Sequence, residues 1–500
     1  MSLVIYKNGS PTYYSPRSAQ YCGDKTGEEF RDWVTFGSDP NDFITCTYGT
    51  LVQRCVTLYH TSAIARACVN KPTSYAIGDG LVFKSEVDHK ALGMTRKQAE
   101  KWQRTFTSLL HIEKQLSNYY EKQAQLFREA KISGDAFLYL LREENSMLDM
   151  PFDLIAVGGG DIDWQKSGKN IKLGIKTDTY GRRKAFYRCA RKTPVKFMDS
   201  NGNINALQMM FRERPQQLRG LSCYYSEIAR FKNIDRFWDA VLERVVQEAI
   251  QLGYFQASDT NVAAQARAMA RRSMSAAQRD GDTQSSTSSN SVTRSDNMKT
   301  GGMYWLGNEE SMQFTELKTP SNNFGMFNEW SVKMACMAVK YPPEFILGEY
   351  STSFTAHKGA LNDAIRQFMS ERKTFERTVD YAVNLEYLKH FIRTGQIETP
   401  KGFWESGHVR RASIAGVTLG PVPGHVNPLQ EVKADIAAVE AGLTTRSSMA
   451  AKFGHDWYNM IDKWKTEQIE WFNQSLEKMV ASLGQDLVLK GEENASGNNS

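Results

Sequence analysis

Apolar residues recur at helical spacing over four long stretches of the chain. Trp102, Phe106, Leu109, Leu116, Tyr120, Phe127 and Ala130 predict one amphipathic helix from about Thr95 to Ala130. Ile228, Phe231, Ile234, Trp238, Val241, Val245, Ala249 and Leu252 form one stripe of a second helix, Tyr224 to Tyr254, with Gly253 as its stop. A third helix spans Phe324 to Val339 and ends before Pro342-Pro343, because proline cannot continue the hydrogen-bond ladder. A fourth runs from about Ala356 to Arg393, with Leu361, Ile365, Phe368, Phe375, Val379, Val383 and Leu388 on its apolar face. Between the first two, the pattern turns mostly β. Gly134 to Leu141 reads as a turn into a strand, followed by strands at Phe152–Val157, Ile171–Lys176 and Ala185–Cys189, with Tyr180-Gly181 as a turn. The fold class is therefore α+β.

Shorter signals fill in the ends. Residues 51–69 predict a short helix. Near the C-terminus, Asn427-Pro428 supplies an N-cap and first-turn pair, Leu429, Val432, Ile436 and Val439 line one face, and Gly442 stops the helix. Two more helices follow, one from Thr444 or Thr445 to about Gly454. The other begins at Asp456 and carries Trp457, Met460, Trp464, Trp471 and Leu476. Residues 1–50 show little periodicity and predict an irregular arm. A basic, Ala-rich helix is expected at Val262–Ala277, and strands near Met303–Leu306 and Gln313–Leu317. The run Gly281 to Asn297 has Val292 as its single aliphatic residue, so it buries too little apolar surface to offset ordering entropy and is expected to be mobile.

Composition narrows the class of protein. The chain has 500 residues, enough for several domains, and is 41% hydrophobic. Its net charge of +6 is a mild excess without the concentrated basic face of a duplex-binding domain. The seven cysteines, Cys22, Cys46, Cys55, Cys68, Cys189, Cys223 and Cys336, form no C-x-x-C pair. Cys55, His60 and Cys68 come nearest to a cluster, and the cysteines read as ordinary thiols of a reducing cytoplasm. Met1 to Ser10 carries no apolar run of signal-peptide length, and no stretch reaches a membrane span.

Catalytic patterns are missing. Gly158-Gly159-Gly160 fails the dinucleotide pattern, since Asp163 stands three after Gly160, and Lys25-Thr26 follows Asp24 where a phosphate loop needs glycine. Asp161 and Asp163 on a strand would share a face and could hold a divalent cation, but no third ligand follows nearby, so they read as exposed turn residues. No H-E-x-x-H or G-x-S-x-G pattern occurs, and no cofactor or metal is implied. Trp102, Trp238, Trp464 and Trp471 sit at helical spacing with aliphatic neighbours and read as core. Arg182, Arg183, Lys184, Arg188, Arg191 and Lys192 form a basic cluster that fits either phosphate or a solvated strand edge.

In order along the chain, three segments resemble phage portal proteins of the lambda family. Tyr341 to Leu361, YPPEFILGEYSTSFTAHKGAL, is similar to a family segment in which Pro342, Leu347, Gly348, Tyr350 and Ser351 fit. The family's Asn-Tyr-Ser-Ser is replaced by Ser353-Phe354-Thr355-Ala356, and its Arg by Lys358. Phe211 to Gly220, FRERPQQLRG, resembles the family's ERP-and-RG segment. Asn427 to Ala434, Ala441 to Arg446 and Gly454 to Trp457 resemble its C-terminal tail, and Gly78-Asp79-Gly80 and Gly134-Asp135 are weaker echoes.

The resemblance implies a portal fold with a β-rich wing, an α-helical stem, a small α/β clip and a helical crown, assembling as a dodecameric ring. It divides the chain into an arm (1–50), wing (51–223), stem helix (224–254), clip (255–322, with 281–297 mobile), stem helix (323–347), tunnel loop (348–358), long helix with more wing (359–425), and crown with tail (426–500). It implies a structural, non-enzymatic role in viral genome packaging and ejection, in the virion and, during assembly, in the host cytoplasm. The partners implied are double-stranded DNA, terminase, head-completion or adaptor proteins, and capsid or scaffold protein, with no membrane. Ser351, Thr352, Ser353, Phe354, Thr355, His357 and Lys358 would then face DNA in the channel. Two other readings compete: another virion connector or tail protein, and a metal-dependent nucleic-acid enzyme using Asp161 and Asp163.

Overall fold

The structure is a computed structural model that describes residues 4–7, 10–13, 39–45, 48–142, 152–190, 193–250, 254–257, 310–313, 324–348, 354–421, 428–452, 457, 460–472 and 475. The Ala-rich helix, the polar run 281–297 and the strand expected at 303–306 lie outside the described residues. Within residues 1–50, expected to be irregular, β1 (Val4–Lys7) and β2 (Ser10–Tyr13) pair as an antiparallel hairpin. Helix α1 (Pro40–Thr45) starts on Asp39, whose carboxylate accepts from the Asn41 N–H at 2.8 Å, with Pro40 in the first turn. The single short helix expected at 51–69 is a longer pair, α2 (Tyr48–Thr61) and α3 (Ala63–Ala76).

Strand β3 (Val82–Ser85) precedes a helix that the apolar spacing had joined into one piece. Two helices stand there, α4 (Arg96–Leu116) and α5 (Tyr119–Ile132). Thr95 and Gln98 cap α4 reciprocally. The break falls at Asn118, held at φ 51°, a left-handed conformation that asparagine tolerates better than most residues. Strands β4 (Asp135–Leu141) and β5 (Asp153–Gly158) follow, then a tight 3-10 turn at Gly159–Asp161. The strand expected at 171–176 is a hairpin, β6 (Ile171–Lys172) and β7 (Ile175–Thr177). Leu173 and Gly174 both have positive φ, as a type I′ turn demands. Strands β8 (Arg183–Phe186), β9 (Val195–Lys196) and β10 (Ala206–Met210) complete this region.

Helix α6 covers Ile228–Ile250, and a hairpin of β11 (Tyr254–Ala257) and β12 (Glu310–Gln313) follows it in the described chain. Helix α7 runs Phe324–Val339 with the bounds the sequence predicts, and α8 (Pro343–Leu347) is a short turn beyond the proline stop. The expected continuous helix to Arg393 is α9 (Phe354–Phe375), a π-helical turn (Glu376–Asp380) and α10 (Tyr381–Arg393). Helix α11 (Gly407–Ser413), strand β13 (Gly416–Leu419), α12 (Pro428–Glu440) and α13 (Arg446–Lys452) lead to further helical turns at 460–472.

These elements form two compact units with interleaved segments. One comprises Met1–Arg54, Ile77–Ser222 and Lys373–Gly420, the other Cys55–Ala76, Cys223–Arg372 and Pro421–Ser500. In the first unit, β4 is the centre of an antiparallel sheet ordered β10-β4-β5, and all of its residues but Leu141 are buried. A near-continuous apolar strand is what burial on both faces requires. Phe137, Tyr139, Val157, Ile162, Ile175, Phe186, Ala206 and Leu218 join this sheet to a four-stranded antiparallel sheet, β6-β7-β8-β9. Strand β13 pairs with β3. In the second unit, α3 buries Ala65, Cys68 and Val69, and α7 buries Val332, Ala335, Cys336 and Val339. The hydroxyl of the buried Tyr224 donates to the Ala65 carbonyl at 2.6 Å.

Candidate functional site

The loop singled out by the sequence lies between α8 and α9, in the second unit. Ser351, Thr352 and Ser353 fall outside the described residues. Phe354 and Thr355 open α9, two residues earlier than the expected start at Ala356. They are therefore helical, where the sequence led one to expect loop. His357 and Lys358 stand in the first turns of α9, each half-buried.

What precedes the loop is anchored firmly. Lys340 takes a positive φ of 67°, Pro343 opens α8, and Gly348 closes it at φ 75°, a conformation suited to glycine. Phe345 and Ile346 are buried. Phe345 stacks on Tyr341 with ring centroids 5.7 Å apart and meets the Tyr75 ring edge-on at 5.0 Å. Its carbonyl accepts from Lys71 Nζ at 3.2 Å. The Tyr341 hydroxyl donates to Glu371 Oε2 at 2.7 Å, and burial, reinforced by that carboxylate, holds the phenol well above its usual pKa, so it stays a donor. Arg372, next in α9, donates to the carbonyls of Ala76, Tyr75 and Pro421 at 2.7–2.9 Å. The motif residues Tyr341 to Ile346 thus form a packed base for the loop.

The second motif, Phe211 to Gly220, builds a buried ionic knot in the first unit. Arg219 is fully buried. Its Nε donates to Asp135 Oδ2 at 2.6 Å and its Nη2 to Asp135 Oδ1 at 3.0 Å. The same Nη2 reaches the Tyr48 hydroxyl at 2.7 Å and the Gly159 carbonyl at 2.6 Å, and Nη1 reaches the Leu173 carbonyl at 3.2 Å. Burial works most strongly against the guanidinium charge, but Asp135 and Tyr48, with a smaller part from Cys189, together outweigh it and hold Arg219 above its ordinary pKa. Gly134, at φ 97°, and Gly220 approach so closely that a Cβ on either would strike the other's backbone. The echo Gly134-Asp135 and the motif's Arg219-Gly220 are two halves of one contact. Nothing in the local pattern around either half identifies its partner, 84 residues away.

Asp161 and Asp163 lie outside the strands, in keeping with their reading as turn residues and against the strand-borne pair that a metal site would need. Asp161 ends the 3-10 turn, exposed, with Arg188 Nη2 at 3.4 Å from its Oδ2. Among the described residues, no group of three His, Cys, Asp or Glu is placed to hold a metal. The basic cluster is divided as well: Arg183 and Lys184 lie on β8, Arg188 turns to Asp161, and Arg191 and Lys192 lie outside the described residues.

Sequence periodicity does not show how much of the second unit's helix surface is left uncovered. On α6, Phe231 and Ile234 are buried while Trp238, Leu242, Val245 and Val246 are exposed. On α7, one stripe (Val332, Ala335, Cys336, Val339) is buried and a second (Met326, Phe327, Trp330, Met334, Met337) is 40–68% exposed. The two helices are tied by Trp238 Nε1 donating to Asn328 Oδ1 at 3.0 Å and by the Phe237–Phe327 ring contact at 5.2 Å. A groove of about 700 Å³ runs between them, walled by Ile234, Phe237, Trp330 and Met334.

Residues 26–372 match the family described as phage portal protein, lambda family. Among solved structures, the neck of a native GTA particle computed with C12 symmetry is similar at 11% identity, with 83% of this chain and 94% of that chain covered and a TM-score of 0.39. The virion of a native gene transfer agent particle gives 12% identity, 70% and 92% coverage and a TM-score of 0.35. The neck of an empty GTA particle computed with C6 symmetry gives 12%, 80% and 93%, and 0.38.

Proposed function

The chain belongs to the lambda family of phage portal proteins, and from that membership we propose that its copies close into a dodecameric ring at one capsid vertex, through which double-stranded DNA is packaged and later ejected. The carrying observation is the second apolar stripe of α7. A helix that is apolar on both faces is stable in water only when both are covered, and within the subunit Met326, Phe327, Trp330, Met334 and Met337 are not. Subunits meeting head to tail would cover that face with an unlike face of the neighbour, and a rotation that closes gives a ring. In this reading α6 and α7 are the stem, the sheets with α4 and α5 the wing, residues 255–322 the clip and residues from 426 the crown. Terminase, head-completion proteins and capsid or scaffold protein are the partners, in the virion and, before that, in the host cytoplasm.

The channel contact is assigned to Ser351, Thr352, Ser353, Phe354, Thr355, His357 and Lys358. The support is a packed base on one side, a helix start on the other, and hydroxyl groups that meet phosphate without the ionic grip of a lysine row. Purified protein imaged in negative stain without nucleotide or metal is expected to show closed rings. A stable monomer under all conditions would overturn the assembly. Replacing Ser351 to Phe354 by Gly-Ser residues is expected to leave rings intact and impair DNA packaging. Intact rings with normal packaging would remove the channel assignment, and failed assembly would make the segment a connector.

A further inference from the structure

We propose that the first unit carries a second binding site, a basic cleft between β8 and β10 that takes an acidic peptide segment of a partner protein. The cleft, of about 650 Å³, is lined by Arg182, Arg183, Lys184 and Arg212, with apolar walls from Phe197, Met198, Ile204 and Leu207. It lies within one unit and does not depend on the ring reading.

Arg183 is the centre of the argument. It is half-buried, it donates through Nη1 to the Gln208 side-chain oxygen, and its guanidinium lies 6.0 Å from the centre of the Phe197 ring. Gln208 cannot move to follow it, because its own amide is fixed on Asp135 Oδ2 at 2.8 Å and the Leu218 carbonyl at 3.0 Å. Among the described residues no carboxylate forms an ion pair with Arg183, Lys184 or Arg212. Burial first, and the nearby charge of Arg212 second, push the Arg183 pKa down to about 10, against the more distant charge of Asp135, which raises it. The acids at the rim are otherwise engaged. Asp178 pairs with Arg182 at 2.7 Å, and Asp199 accepts from the backbone and side chain of Asn203 and from the Asn201 N–H. Asp135 favours the Arg183 charge only at longer range, through the Gln208 amide between them, so an anion entering the cleft would add the direct ion pair that the described residues do not supply.

The chemistry of the walls selects the anion. Arginine clusters in a concavity read acidic motifs through charge-assisted, often bidentate hydrogen bonds. A duplex draws its affinity from basic groups spread along the phosphate rows, whereas here they converge on one pocket. Apolar walls give a phosphate nothing, but they cover the aliphatic side chains that alternate with acids in a peptide. The volume falls within the range of roughly 300–1,000 Å³ typical of ligand pockets.

The test titrates the full-length protein into a short fluorescent peptide alternating Glu and Leu, followed by anisotropy at physiological salt. Saturable binding is expected. Arg212→Ser and Lys184→Ser, both at exposed positions, should each weaken it about tenfold with unchanged melting temperature, and Lys101→Ser on α4 should not. A short DNA duplex at equal concentration should not displace the peptide. No saturable binding, or equal binding by the two cleft variants, overturns the site. Displacement by the duplex, with the same variants losing duplex affinity, overturns the peptide assignment in favour of nucleic acid.

Discussion

At the scale of single residues, the first unit depends on a charge pair that never meets water. Asp135 and Arg219 are both fully buried, and among the described residues neither forms another ion pair. Asp135→Ala strands the guanidinium, and a loss of about 3–5 kcal/mol in urea unfolding is expected. A loss near zero would show that the Tyr48 hydroxyl and the carbonyls suffice. Gly220→Ala tests the same junction without touching charge, because its methyl would meet the Gly134 backbone and force the two segments apart. Glu129 gives a pH signature. Burial raises its pKa above 4.5, against the hydrogen bond from Ser133 that lowers it, with Asp135 and Asp161 adding to the rise. A carboxyl group raised in the folded state binds its proton more tightly there than in the unfolded chain. Its contribution to stability is therefore lost as pH rises from the unfolded value near 4.5 through the folded one. Glu129→Gln should remove that slope, measured as the difference between the two proteins' urea midpoints across this window. Parallel pH curves would sink the assignment.

At the scale of elements, two helices depart from simple amphipathic design, for different reasons. Helix α7 is apolar on two faces: one is buried within the second unit, and the other, exposed there, is the face that the proposed ring would cover. Trp330→Glu combined with Leu242→Glu on α6 should abolish assembly, read by light scattering, while leaving the subunit's melting temperature nearly unchanged. Both side chains are exposed in the subunit, and such changes are usually worth within about 0.5 kcal/mol. A variant that still assembles would move the interface elsewhere. The α9–α10 helix has its π turn for an internal reason. Phe375, Val379, Val383 and Tyr387 are all buried, yet steps of four would drift roughly 120° round an ideal helix over that span. One widened turn takes up most of the drift and holds Asp380 on Lys114 Nζ at 2.9 Å and on Gln123 Nε2 at 3.2 Å. Asp380→Leu alone should destabilise strongly, whereas Asp380→Leu with Lys114→Met should recover most of the loss, since an apolar pair can replace a buried ion pair. Equal losses in the single and double variants would show that the carboxylate is needed for the turn itself.

At the scale of the whole molecule, the chain passes between its two units repeatedly, so neither is a continuous stretch of sequence. The C-terminal helices are an exception in one respect. Val432, Ile436 and Leu443 remain exposed there, as do Trp464, Ile469, Trp471 and Phe472. Truncation after about residue 426 should therefore leave soluble, ring-forming protein, seen by negative stain. Loss of rings would place those exposed faces in the main subunit contact.

The long helices were legible in the sequence because a repeat near 3.6 is imposed by the chain's own geometry, and α7 has the bounds its pattern and its proline stop predict. Strand β4 was legible for the same local reason, from its turn glycine and apolar run. The family, too, was written in short motifs. Other features were invisible locally. The break at Asn118 leaves the apolar spacing almost undisturbed. Strands β3, β10 and β13 are short and take their identity from partners far along the chain. The role of Arg219 depends on Asp135, and the basic cleft depends on β8 lying beside β10. Periodicity records which face of an element is apolar. Only the tertiary structure decides what covers that face, which buried charges find each other, and which apolar stripe stays exposed.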